Sequence, residues 1–147
     1  VPGEPPDFNA QNLSNSAWAF ATLGLRNKPL MAAIAASALP KISALARSPQ
    51  NLTNTVWAFS ALPFAHPPLM AAISAAALRT IRDFDCQGLA NTAWAYSKLG
   101  FRDAPLLHSI SSAALAKISD FGGQQLANTA WSFAPLGLPD GPLLHAI

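Results

Sequence analysis

The sequence predicts an all-α fold, a right-handed α-solenoid of tandem antiparallel helix pairs with about 38 residues per repeat. Three observations predict it. The stretch "QNLSNSAWAFATLG" from Gln11 returns as "QNLTNTVWAFSALP" from Gln50, "QGLANTAWAYSKLG" from Gln87 and "QQLANTAWSFAPLG" from Gln124, with Trp18, Trp57, Trp94 and Trp131 spaced 39, 37 and 37 apart. Gly or Pro closes each copy, and another Pro opens the segment that follows. Apolar residues recur at helical spacing, with no strand-like alternation.

Each unit reads as two helices. The first starts near Ala10, Pro49, Cys86 and Gly123, behind Asn9, Ser48, Asp85 and Gly122 at the N-cap. Asn, Ser and Asp are good caps, and Pro49 suits the first helical position, where a missing N–H costs nothing. Gly24, Gly100 and Gly137 end the helix as residues free to turn left-handed, and Pro63 ends it in the second unit by another route. The second helix opens with Pro29, Pro68, Pro105 and Pro142 in its first turn, and Pro40 should kink it in the first unit alone. The organisation is then a Pro-rich lead-in at 1–8, repeats at 9–45, 46–83 and 84–120, and a partial repeat at 121–147. The longer first interval is a two-residue loop insertion around "SALARSPQ". The chain opens on Val1 and stops at "PLLHAI", inside a pattern completed three times before, and so reads as a piece of a longer protein.

Composition narrows the function. Of 147 residues, 51% are hydrophobic and only 11% charged, which excludes disorder and suggests a surface short of charge that a partner covers. The net charge is +2 and the basic residues lie singly, so no strong phosphate-binding field shows. Arg26, Lys28, Arg47, Arg102 and Lys117 read as solvated surface, with Arg26 and Lys28 close enough to touch a phosphate. No apolar stretch is long enough to span a bilayer. One cysteine, Cys86, rules out an intrachain disulfide and fits a reducing compartment.

Catalysis and cofactors are not expected. The histidines are His66, His108 and His145, and nothing near them has zinc-ligand spacing. Cys86 has no local His partner, and its slot holds Ala, Pro or Gly in the other units. The carboxylates are scattered, and no Gly-rich phosphate loop is present.

What stands out is polar. Advancing about 100° per residue along the third unit puts Leu89, Ala93, Tyr96 and Gly100 on one side, with Ala90 and Trp94 on its flank. Gln87, Asn91 and Lys98 fall opposite the Leu, beside the Trp. The same stripe is Gln11, Asn15 and Thr22, then Gln50, Asn54 and Ala61, then Gln124, Asn128 and Pro135. Stacked units turn it into a ladder whose amides are constant while the third position varies. Amides donate and accept together, which suits base edges and peptide backbones equally. Two internal roles compete with a ligand role. Asn, a poor interior helix residue, could bond the preceding unit, and Gln in the first turn could satisfy its orphan donors. The tryptophans read as core or inter-repeat packing.

The pattern "QxLxNTAWAxAxLG" followed by "RDxPLLxxIxxxALxxIxDF" resembles the octotricopeptide repeat, a helix-pair unit of about 38 residues, and the helical repeats that precede RAP domains in organellar proteins. The likeness covers nearly everything after Pro6. It implies a protein of chloroplast or mitochondrion that binds single-stranded RNA, about one nucleotide per repeat, in RNA stability, processing or translation. It would carry the RNA on Asn15, Asn54, Asn91 and Asn128, with Gln11, Gln50, Gln87 and Gln124 beside them, and with Thr22, Ala61 and Lys98 modulating base choice. No RAP domain is seen in this stretch. About four nucleotides, at about 1–3 kcal/mol per stacked base, would barely hold alone. The alternative is a non-catalytic scaffold that packs against protein subunits of a large complex, or an extended-peptide binder.

Overall fold

The computed structural model describes residues 8–146, and among these every regular element is helical. In order they are α1 (Ala10–Thr22), α2 (Lys28–Ala38), α3 (Ile42–Leu45), α4 (Pro49–Ala61), α5 (Pro67–Thr80), α6 (Cys86–Lys98), α7 (Ala104–Ala116), α8 (Gly123–Phe133) and α9 (Gly141–Ala146). The Pro-rich lead-in lies, except for Phe8, outside the described residues.

Capping fixes where the helices start. Asn9 Oδ1 accepts from Asn12 N at 2.8 Å while Asn12 Oδ1 accepts from Asn9 N at 3.1 Å, closing a reciprocal box at α1. Asp85 Oδ1 takes Gly88 N at 2.6 Å at α6. Ser48 makes no side-chain cap bond, contrary to expectation; Pro49 behind it offers no N–H, and the Ser48 carbonyl takes Asn51 N instead. The second helices are capped by Asn27, His66, Asp103 and Asp140, each accepting from the leucine N–H three residues on. His66, expected only as a loop residue, does this through Nδ1 at 3.2 Å, in the place where the other units have Asn or Asp.

The first helices end alike. Gly24 and Gly100 sit at φ +66° and Gly137 at +61°. The residue after each turns its N–H back to the fifth carbonyl before it, as in Leu25 to Phe20 and Phe101 to Tyr96, both 3.0 Å. Pro63 has no N–H to give, yet Phe64 N still reaches Phe59 O at 2.8 Å, so the turn survives the substitution. Pro40 acts as its ring predicts: α2 stops at Ala38, a 3-10 turn spans Leu39–Lys41, and α3 resumes.

The first helices pack in sequence, α1 on α4, α4 on α6 and α6 on α8, while α3 meets α5, α5 meets α7 and α7 meets α9. Between these rows lies the core, including Leu13, Leu52 and Leu89 with Phe59, Tyr96 and Phe133. Side-chain hydroxyls tie neighbours together. Ser14 Oγ donates to Asn51 O at 3.2 Å, the Thr53 and Thr92 hydroxyls are hydrogen-bonded to each other at 3.3 Å, and the Tyr96 hydroxyl donates to Met70 O at 2.6 Å. Ser74 Oγ donates to Asp103 Oδ2 at 2.5 Å, joining α5 to the cap of α7.

Lys117 is not the solvated surface residue its isolation in the sequence suggested. Its Nζ donates to Arg82 O at 3.0 Å and Phe84 O at 2.5 Å, and Lys41 makes the corresponding bond to Phe8 O. A lysine at the end of a second helix thus holds the carbonyl that leads into a first helix.

One buried hydroxyl, Ser97 Oγ, has no partner among the described residues. An unmet buried polar atom keeps its desolvation cost. Ser97→Ala should therefore stabilise by about 1 kcal/mol and raise the melting temperature by roughly 2–4 °C. A calorimetric scan showing a lower melting temperature would mean the hydroxyl is satisfied in solution.

Candidate RNA-contact face

The helix ends and core bring the amides onto one outer stripe. Leu89, Ala93 and Tyr96 are buried, while Gln87 and Lys98 are exposed and Asn91 is half-buried. The same holds in α4, where Leu52 is buried and Gln50 exposed, with Asn54 half-buried. Between these two helices opens a cleft of about 320 Å³. Gln50 and Asn54 line one wall, Gln87 and Asn91 the other; Thr53 and Gly88 also line it, and Asp83 and Asp85 contribute carboxylates. The remaining sequence-predicted residues, Gln11, Asn15, Gln124 and Asn128, occupy the same stripe on α1 and α8 but do not line this cleft.

Neither internal role expected for the amides is what they perform. Among the described residues, no hydrogen bond is made by the side chains of Gln11, Gln50, Gln87, Gln124, Asn15, Asn54, Asn91 or Asn128. Helix-to-helix bonds are made by Ser14, Thr53 and Thr92 instead. The N-cap N–H groups are met one residue along, Asn9 N by Asn12 Oδ1 and Gly122 N by Gln125 Oε1 at 2.7 Å. The amide row therefore keeps its donors and acceptors facing outward.

Gly88, buried at the cleft wall, allows close packing there. A Cβ there would stand 3.0 Å from Asp85 Oδ1, 3.3 Å from Phe84 Cδ1 and 3.4 Å from Thr53 Oγ1. The equivalent positions in the other first helices carry Asn12, Asn51 and Gln125. No basic side chain lines this cleft, and its two carboxylates repel phosphate. It suits an uncharged polar group, such as a base edge or a peptide amide. Basic groups lie elsewhere. Arg82 and His108 line a separate hollow of about 360 Å³ with Ser109 and Ser112.

The third ladder position lies one turn beyond each tryptophan. Lys98 Nζ sits 4.6 Å from the centroid of the Trp94 ring, a cation–π contact. Thr22, in the corresponding place, turns its hydroxyl to Trp18 O at 2.9 Å. Two of the tryptophans depart from the core or inter-repeat packing expected of them. Trp18 is 47% and Trp131 55% exposed, while Trp57 and Trp94 are half-buried, and Trp57 packs against the core cluster.

Cys86 is a poor nucleophile here. Burial raises its thiol pKa first, with Asp120 and Asp85 adding to the rise against an opposing effect of Lys117. Among the described residues, no group of three His, Cys, Asp or Glu gathers to hold a metal, and no helix is long and apolar enough to cross a membrane.

The described residues are helical throughout and leave the amide face open, and the class of protein comes from a family comparison: the RNA-associated helical proteins. The chain belongs to a particular family within it: the model of the RNA-editing substrate-binding complex 6 protein family matches residues 5–147. That family is named for RNA association within a complex, not for the octotricopeptide repeat that the sequence pattern resembles. A search of curated proteins finds no match.

Proposed function

We propose that this chain is a non-catalytic scaffold subunit of an RNA-editing substrate-binding complex. The observation that carries this reading is the family match over 5–147, supported by a surface with few charges for a chain 51% hydrophobic. An organellar setting, mitochondrial rather than chloroplast, goes with that membership. The chain would act as a right-handed solenoid of antiparallel helix pairs repeating about every 38 residues, over 9–45, 46–83, 84–120 and 121–147. Consecutive packing of α1, α4, α6 and α8 supports that arrangement. Removing the protein should shift the remaining subunits to smaller sedimenting species. A complex that sediments unchanged without it would sink the scaffold reading.

A second role, contact with single-stranded RNA, is favoured by the outward-facing Gln and Asn ladder. The amides would meet base edges, and Thr22, Ala61 and Lys98 would tune the choice. Asn54→Ala with Asn91→Ala removes two half-exposed amides from the cleft and leaves the core intact. This double variant should bind single-stranded RNA about tenfold more weakly, since a well-placed amide pair on a base is worth about 1–3 kcal/mol. Its melting temperature should stay near that of the wild type. Unchanged RNA affinity, or a large loss of stability, would return the ladder to a structural role.

A further inference from the structure

Trp18 and Trp131 are the most exposed of the four repeated tryptophans, and both lie on the polar stripe of their helices. Phe59 is paired with Phe64 at 5.8 Å and Tyr96 with Phe101 at 5.9 Å, both within the core region, whereas Trp18 and Trp131 are 47% and 55% exposed. All four tryptophans fall seven residues after the ladder glutamine and three after the ladder asparagine. Helix geometry puts residues seven apart within about 20° of each other. Gln, Asn and Trp therefore lie along one stripe of each first helix, and successive first helices pack directly together.

We propose that the exposed tryptophans of this row are stacking platforms for unpaired RNA bases. The proposal rests on the RNA-contact role above and assigns the groups that would supply most of its binding energy. Amides alone bind bases weakly in water, because water offers the same bonds; an aromatic face adds the apolar contact that every base can use. Packed helices stand roughly 8–10 Å apart, well beyond the roughly 3.4 Å between stacked bases in a strand. Each ring would thus take a separate, splayed base, the way single strands are commonly read. The base edge would then turn toward the Asn and Gln on the same stripe.

The rings are not equally open: Trp57 is half-buried against the core, and the two exposed rings stand on the end helices of the row, α1 and α8. Lys98 covers Trp94 with its ammonium at 4.6 Å. Trp18 and Trp131 are the open platforms.

The test uses the whole protein and a mixed-sequence single-stranded RNA, followed by anisotropy and by quenching of tryptophan emission, at two salt concentrations. Trp18→Leu and Trp131→Leu should each weaken binding at least fivefold, the lower end of what losing one stacked base costs, and reduce the quench. The salt slope should not change, because no phosphate contact is removed. Trp18→Tyr, which keeps a stacking face, should recover most of the affinity and so separates stacking from misfolding. Wild-type-like RNA binding by both Leu variants overturns the platforms while leaving the ladder as an RNA site. Loss of assembly with protein subunits at unchanged RNA affinity overturns them in favour of a protein surface. No RNA binding by the wild type overturns both the platforms and the RNA role beneath them.

Discussion

Tyr96→Ala is expected to destabilise the protein by about 3–5 kcal/mol, the range for truncating a buried aromatic. The ring is fully buried, meets Phe101 edge-on and ties α6 to α5 through its hydroxyl on Met70 O at 2.6 Å. Tyr96→Phe isolates the hydroxyl and should cost about 1 kcal/mol, the net worth of one hydrogen bond, because the Met70 carbonyl keeps its helical donor. The phenol also makes stability depend on pH. Burial foremost, and the Asp103 carboxylate next, push its pKa up from the usual 10.0. The sign follows from linkage: this acid holds its proton more tightly folded than unfolded. Its contribution is full below about pH 10 and falls as pH rises above that, because only the unfolded chain sheds the proton. Urea titrations at neutral pH and above pH 10 check both points. A Tyr96→Phe variant that lost stability as steeply as the wild type in alkali would assign that loss to other groups.

Phe84→Ala should match Tyr96→Ala in size, about 3–5 kcal/mol, and should also disturb the site. Phe84 is fully buried at the start of the chain segment that leads into α6, its carbonyl is held by Lys117, and its ring edge would lie 3.3 Å from a Cβ on Gly88. A void here lies beside the cleft that Gln50, Asn54, Gln87 and Asn91 line. Leu45 and Phe121 hold the equivalent places, fully buried and 9% exposed respectively. Phe121→Ala should therefore cost less than Phe84→Ala. A lower denaturation midpoint with an unchanged slope would fit a cavity in a fold that is otherwise intact. Equal losses for Phe84 and Phe121 would show that burial is not what sets the cost.

The parts of this protein that are local were legible in its sequence. Helix starts at Ala10, Pro49, Cys86 and Gly123 follow from the residues around them, because capping and the proline ring act within one turn. The amide stripe was also legible, since helical periodicity alone sorts Gln87 and Asn91 away from Leu89. The tryptophans were not. Trp94 falls on the flank between the buried and open sides, where exposure depends on how the neighbouring helix crosses, and no single-helix pattern contains that angle. Lys117 was missed for a related reason: its acceptors, Arg82 and Phe84, lie 35 and 33 residues back in the chain. His66 left a usable signal, its alignment with Asn27, Asp103 and Asp140 ahead of a proline. The chemistry of the ladder was visible, but not whether its amides turn inward or outward, since Asn can serve either way.

Gly88 carries a consequence for how such a face could keep count. With Asn12, Asn51 and Gln125 in the matching places, the four steps of the row are not interchangeable. A polymer drawn along identical rungs could slide by one rung at no cost. If a strand lies along the row as proposed, the rung without a side chain would distinguish one alignment from those displaced by a step. The missing methyl group would then act as an index mark, fixing phase along the row rather than adding to its grip.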